Sequence, residues 1–231
     1  GIGFFLGAAL LGFIGFQGAI IFMVVMLSFA LISSLHLLQN DLGTRPFKAK
    51  FKTLFSKSSQ INRLSAARLF LFGARDIWFV VALPVYLQVH LAWSHLEVGT
   101  LLAVWIIIYG LVQSLSPKIT QATSKNVPSG YSTFVWALPL IIITALLSYF
   151  ESSGGLTSEI LVLALLIYGA FFAINSSIHS YLIIAYAKED GVSLDVGFYY
   201  MANAAGRLIG TLLSGFLYQN YSLAVCLIAS S

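Results

Sequence analysis

Three arginines stand where charge meets apolar sequence. Of the twelve lysines and arginines, only Arg68, Arg75 and Arg207 fall inside hydrophobic segments, and the other nine lie in connectors. A cation in hydrocarbon costs roughly 2.5–3.5 kcal/mol even on a mild insertion scale, so such a side chain faces a protein interior or a watery cavity. Guanidinium groups gathered in a polar pathway suit an anion, because their planar fork of donors matches an oxyanion.

The first two arginines lie in LSAARLFLFGARDIWFVVALPVYL. Arg68 sits one turn inside the edge of this segment, where it is expected to snorkel to lipid headgroups. Arg75 follows seven residues later on nearly the same face, about 10 Å deeper at 1.5 Å per residue. It reads either as half of a structural interhelical ion pair or as an anion-binding or gating cation. Asp76 points about 100° around the helix from Arg75, so the two are not expected to neutralise each other. Each then needs a partner on another helix, or water. For Asp76 the alternatives are structural pairing and proton coupling. Pro84 is expected to kink the far end of the segment.

The third arginine lies in DVGFYYMANAAGRLIGTLLSGFLYQ. Tyr199, Asn203 and Arg207 recur at i, i+4 and i+8 and form one polar stripe. Ala202, Gly206, Gly210 and Ser214 form a second stripe, of small residues that let another helix approach closely. A helix with both stripes packs on one face and lines a cavity with the other. A third polar set, Asn175 and His179 with Ser176 and Ser180, lies in YGAFFAINSSIHSYLIIAY. Asn175 is a candidate cargo contact. His179 reads either as a proton shuttle near neutral pH or as a hydrogen-bonded packing residue. Trp105, Tyr109 and Gln113 share one face of their segment, as a ligand wall or as packing.

Other chemistry has no foothold. The four histidines lack paired ligand spacing, so no metal is implied. The single Cys226 excludes an intrachain disulfide. There is no phosphate-binding loop, no nucleophile elbow and no H-E-x-x-H. No cofactor is implied, and the chain does not read as an enzyme.

The elements that carry these residues are membrane helices. Apolar residues make up 59% of the chain and charged residues 9%, with mean hydropathy +0.92. A soluble domain carries about 25% charged residues. The chain therefore reads as an all-α membrane protein. Its net charge of +4 flanks apolar helices, which points to anionic lipid rather than nucleic acid. Eight apolar segments are expected: 1–14, 19–38, 64–89, 98–116, 131–150, 160–187, 192–218 and one starting at 222. A tight turn at Gly15–Gly18 separates the first two. The connector 39–63 is long and basic, and its KAKFKTLF stretch is expected to lie on the bilayer as an amphipathic helix.

Alternate connectors carry all nine remaining basic residues, six in 39–63 with Lys118, Lys125 and Lys188, and the intervening connectors carry none. That asymmetry places the basic side in the cytoplasm. The chain opens and closes inside apolar runs, so it reads as a piece of a longer protein. Residues 1–38 would end an N-terminal helical half, 39–63 would be a cytoplasmic central loop, and 64–231 a C-terminal six-helix half. On a twelve-helix template these are helices five to twelve, the first and last cut.

The stretches NRLSAARLFLFGARDIWFVVALPVYL, WIIIYGLVQSLSP and NSSIHSYLIIAYAKEDGVSLDVGFYYMANAAGRLIGTLLSG resemble the ArsJ-type organoarsenical efflux permeases of the major facilitator superfamily. The likeness runs from GFFLGAALLG to the last segment and is most specific over 175–215. The connector SPKITQATSKNVPSG lacks the superfamily's glycine–aspartate–arginine motif. The resemblance implies a helical bundle of two pseudo-symmetric halves around a central site. It also implies export of 1-arseno-3-phosphoglycerate across a bacterial cytoplasmic membrane, giving arsenate resistance. A glyceraldehyde-3-phosphate dehydrogenase would supply that cargo. Two other classes stay open on the residues alone. One is a proton-coupled antiporter for another anionic metabolite or drug, leaning on Asp76 and His179. The other is a membrane assembly or sensor subunit without transport.

Overall fold

The computed structural model describes residues 2–37, 58–123, 127–187 and 192–231, and those residues are helical with short connections and no strand. The helices are α1 (Ile2–Leu37), α2 (Ser59–Phe79), α3 (Ala82–Val89), α4 (His95–Thr123), α5 (Gly130–Ser152), α6 (Ser158–Tyr186), α7 (Val192–Asn220) and α8 (Leu223–Ser230). Among the described residues five stretches are long and apolar enough to cross a membrane: Leu6–Leu37, Ser59–Val89, His95–Gln121, Gly130–Ser152 and Ser158–Tyr186. The length of each meets or exceeds the ~20 residues that a bilayer core requires. The amphipathic helix expected around KAKFKTLF, Lys125, and the charges Lys188, Glu189 and Asp190 lie outside the described residues.

Two compact units emerge. One holds α1 with Trp93–Val104, and the other holds α2, α3 and residues 105–231. In the first unit, α1 is helical on both sides of Gly15, whose φ of 69° and ψ of 179° break the run. Residues 16–18 are helical, so the expected four-residue turn shrinks to a break at one glycine. A side chain at that φ would be strained, which is why glycine fits there.

In the second unit α2 packs most extensively on α7, with α6 and α8 also against it, and α5 joins α6 and α8. The α2–α7 contact is backbone to backbone. A methyl group added at Gly206 would run into the Leu69 carbonyl, and one at Gly210 into the Gly73 carbonyl. The small-residue stripe thus does what its spacing predicts. Ser214, last in that stripe, accepts a hydrogen bond at 3.1 Å from the backbone N–H of Ala82.

That bond sits where the long apolar segment breaks. α2 ends at Phe79 and α3 starts at Ala82, two residues before Pro84. Proline lacks the N–H that would bond the carbonyl of Val80, so the ladder fails one turn N-terminal to it. The kink expected at Pro84 is realised as a local break in the hydrogen-bond ladder at 80–81, where the backbone stays in the right-handed helical region, and Ser214 of α7 satisfies a donor exposed there.

Candidate functional site: a charged seam between two helices

Close packing of α2 on α7 brings three ionised side chains together. Asp76 is fully buried. Its Oδ1 accepts from Arg75 Nε at 2.7 Å and lies 2.6 Å from Arg75 Nη2. Its Oδ2 accepts from Arg207 Nε at 3.1 Å. Two guanidinium groups on one carboxylate leave a net positive charge. Removing either partner of such a pair from a buried site is costly, because the remaining charge keeps its desolvation penalty.

The expectation that Arg75 and Asp76 diverge is corrected here. Their Cβ atoms leave the helix in different directions, but the arginine side chain is long enough to fold back onto its neighbour. Burial drives it to do so, since Asp76 has no water to turn to. The expectation that Asp76 has a partner on another helix is met by Arg207.

The two arginines differ in exposure. The Arg75 side chain is 11% exposed, and that of Arg207 is 54% exposed. Arg75 also lies over aromatic faces, 4.8 Å from the Phe72 centroid and 5.0 Å from that of Phe172. Arg207 is held by the protein through Nε alone, so its two terminal nitrogens have no acceptor among the described residues. Those nitrogens form the fork that binds an oxyanion.

Arg68 does not snorkel. It is 6% exposed, and its Nη1 donates to Ser176 Oγ at 2.9 Å and to the Ser176 carbonyl at 3.3 Å. Its guanidinium lies 3.9 Å from the Phe72 centroid and 5.2 Å from that of Tyr199. The cause is local: α6 presents Ser176 and α7 presents Tyr199 within reach of the guanidinium. Sequence reasoning set Ser176 beside Asn175 and His179 but did not join it to Arg68. The spacing Arg68–Phe72–Arg75 puts one ring a turn from both cations, but nothing in the sequence pointed to Ser176.

The remaining candidates scatter. Tyr199 is fully buried, with its hydroxyl beside Ser180. Asn203 is half-buried, and its Oδ1 finds no donor among the described residues. The polar stripe on α7 is therefore graded, from a buried tyrosine through Asn203 to an exposed Arg207, rather than uniformly facing a cavity. Asn175 donates to the Thr133 carbonyl at 3.1 Å. With His179 it borders a cavity of about 340 Å³ lined by α2, α5, α6 and the end of α8. The arginines do not line that cavity. The structure thus unites Arg75, Asp76 and Arg207, and sets Asn175 and His179 apart from them. Trp105 is buried, donates to the Leu165 carbonyl at 2.7 Å and stacks on Tyr109 at 5.6 Å, which is packing rather than a ligand wall.

The Major Facilitator Superfamily model matches residues 64–231, well over half of the chain. The chain belongs to the Major Facilitator Superfamily. It is accordingly an all-α, multi-pass membrane protein of a transporter family. No curated protein and no solved structure matches it.

Proposed function

We propose that this superfamily member exports a small, strongly anionic metabolite, and that the cargo is the organoarsenical 1-arseno-3-phosphoglycerate. The observation that carries the reading is the seam itself: two guanidinium groups share one carboxylate, and the terminal nitrogens of the outer one meet no acceptor among the described residues. A net positive site among membrane helices favours a negatively charged passenger. The segments quoted above, most of all 175–215, support the narrower cargo through their resemblance to ArsJ-type permeases.

In this reading Arg207 is the first contact for the anion, and Arg75 holds Asp76 in place behind it. Asp76 gates the site: an oxyanion arriving at Arg207 competes with its Oδ2 for the guanidinium. Asn203 and Tyr199 extend the site along α7, while Asn175 and His179, beside a separate cavity on α6, would serve as a second cargo contact and a coupling group away from the seam. The protein works in a bacterial cytoplasmic membrane, with the basic connectors inside. Residues 1–38 and 64–231 belong to two halves joined by the loop 39–63. A glyceraldehyde-3-phosphate dehydrogenase produces the cargo, and release outside the cell confers arsenate resistance.

The test is flux. Everted vesicles carrying the full-length protein are expected to accumulate the arsenylated phosphoglycerate, and the double variant Arg75→Ala, Arg207→Ala is expected to lose that uptake. Full transport by the double variant rejects the arginine assignment. Absence of organoarsenical flux in wild-type vesicles, alongside flux of an unrelated toxicant, rejects the cargo.

A further inference from the structure

The cavity beside Asn175 and His179 has a neighbour. A second cavity, of about 300 Å³, lies between the starts of α2 and α5 and the end of α6, where Gln60, Arg63, Gly130 and Tyr186 line it. Ala67 and Thr133 line both cavities, so the two meet and form one groove along α2. α2 and α5 flank this groove without packing closely on each other. Phe70 and Phe134, both exposed, line the larger cavity, so the groove opens sideways. None of the seam residues lines it.

The groove changes chemistry along its length. Arg63 stands at the end where the three helix termini gather, exposed and paired with no carboxylate among the described residues. Neither cavity is lined by an aspartate or a glutamate. Past Ala67 the wall turns apolar, with Leu71, Ala74, Ala137 and Ile141. The depth is also distinctive. Lining residues run from Arg63 to Ala74 on α2 and from Gly130 to Ile141 on α5, and Tyr186, His179 and Asn175 of α6 span the same range. Each run rises about 16 Å at 1.5 Å per residue. One leaflet of a bilayer's hydrocarbon core is about 15 Å deep, half of the whole. The helix ends around Arg63 are those that adjoin the basic connectors.

We infer that this groove holds one phospholipid with an anionic headgroup, drawn from the leaflet on the side of the basic connectors. The phosphate meets the Arg63 guanidinium, whose fork of donors suits phosphate oxygens. One acyl chain lies in the apolar cavity below it. A free phosphate would use Arg63 and leave the apolar length empty, and a headgroup without net charge would gain little from Arg63. The site is separate from the seam and stands whatever the cargo is. An acyl chain and cargo exclude each other at Asn175, so a bound lipid closes that second contact.

The experiment is native mass spectrometry of the full-length protein purified in detergent, reading the affinity of the first lipid bound. The probes are dioleoylphosphatidylglycerol, which is anionic, and dioleoylphosphatidylcholine, which has the same tails and no net charge. Glycerol 3-phosphate serves as a headgroup without tails. Wild type is expected to bind the anionic lipid about fivefold more tightly, the effect of one arginine on an anionic lipid, and glycerol 3-phosphate is expected not to displace it. Arg63→Gln is expected to bring the two lipids to equal affinity. Ala67→Trp, at an exposed position where the cavities meet, is expected to weaken both lipids at least about tenfold. Equal affinities in wild type overturn the inference, and so does an unchanged preference in Arg63→Gln. Wild-type binding of both lipids by Ala67→Trp overturns it too. If Ala67→Trp does not fold, Arg63→Gln decides. Displacement by glycerol 3-phosphate overturns the lipid and marks a site for soluble phosphate. Binding of neither lipid, the result if another part of the full-length protein fills the groove, also overturns the inference.

Discussion

Seven residues separate Arg68 from Arg75 on α2, and the two are compensated in opposite ways. Arg75 sits on a buried carboxylate that a second arginine also holds. Arg68 sits among neutral groups: a serine, a carbonyl and two rings. Both centres are largely buried on the α2 side, yet only the first reaches the surface, through the half-exposed Arg207. The difference teaches what each region tolerates. The charged seam is held by Coulombic attraction and depends on a single acid. The Arg68 region is held by hydrogen bonds and aromatic faces, each of which contributes less.

The largest effect that would sharpen this contrast is removal of the acid. Asp76→Ala leaves a buried guanidinium unpaired and is expected to cost about 3–5 kcal/mol, read as loss of folded protein in detergent. A variant with wild-type thermal stability would show that the seam is not held by charge. On the other side of the comparison, Ser176→Ala removes the acceptor hydroxyl of Arg68. Its expected cost is smaller, about 1.5–3 kcal/mol for a hydrogen bond to a charged group, measured by thermal denaturation. If Ser176→Ala destabilised more than Asp76→Ala, the ranking of the two regions would be reversed.

Packing brings both centres to their places, and it can be tested within one helix. Gly206→Ala puts a methyl against the Leu69 carbonyl, where backbone cannot yield, and about 1–3 kcal/mol of overpacking is expected. Gly215→Ala on the same helix meets nothing within 4 Å and is expected to change stability by less than about 0.5 kcal/mol. Equal melting temperatures for the two variants would mean that α7 does not press on α2. Within the charged seam the smaller stability effect belongs to Arg207→Ala. Its side chain is half exposed, so under about 1 kcal/mol is expected, although vesicle transport should be lost. A large fall in melting temperature with transport intact would turn Arg207 from a contact for cargo into a strut.

Some of this was legible residue by residue. The spacing of Ala202, Gly206, Gly210 and Ser214 announced the packing face of α7, because only small side chains at spacing four allow backbone contact. The need of Asp76 for a partner on another helix followed from its depth. The pairing of Arg75 with Asp76 was not legible, because Cβ directions set where a side chain starts and not where a long one ends. The fate of Arg68 was not legible either, since snorkelling and burial compete, and the outcome depends on what α6 and α7 present at that height.

By itself the sequence determined the class of the molecule: apolar runs long enough to span a bilayer, divided by basic connectors, with three guanidinium groups that hydrocarbon would not accept bare. Hydropathy and helical period act along the chain, so they are written in it. Only the tertiary structure decided which cation meets the carboxylate, which stays half exposed and which is buried among neutral groups. Those outcomes depend on contacts between residues more than a hundred positions apart, and the close approach of α7 to α2 is what brings Arg207 to Asp76.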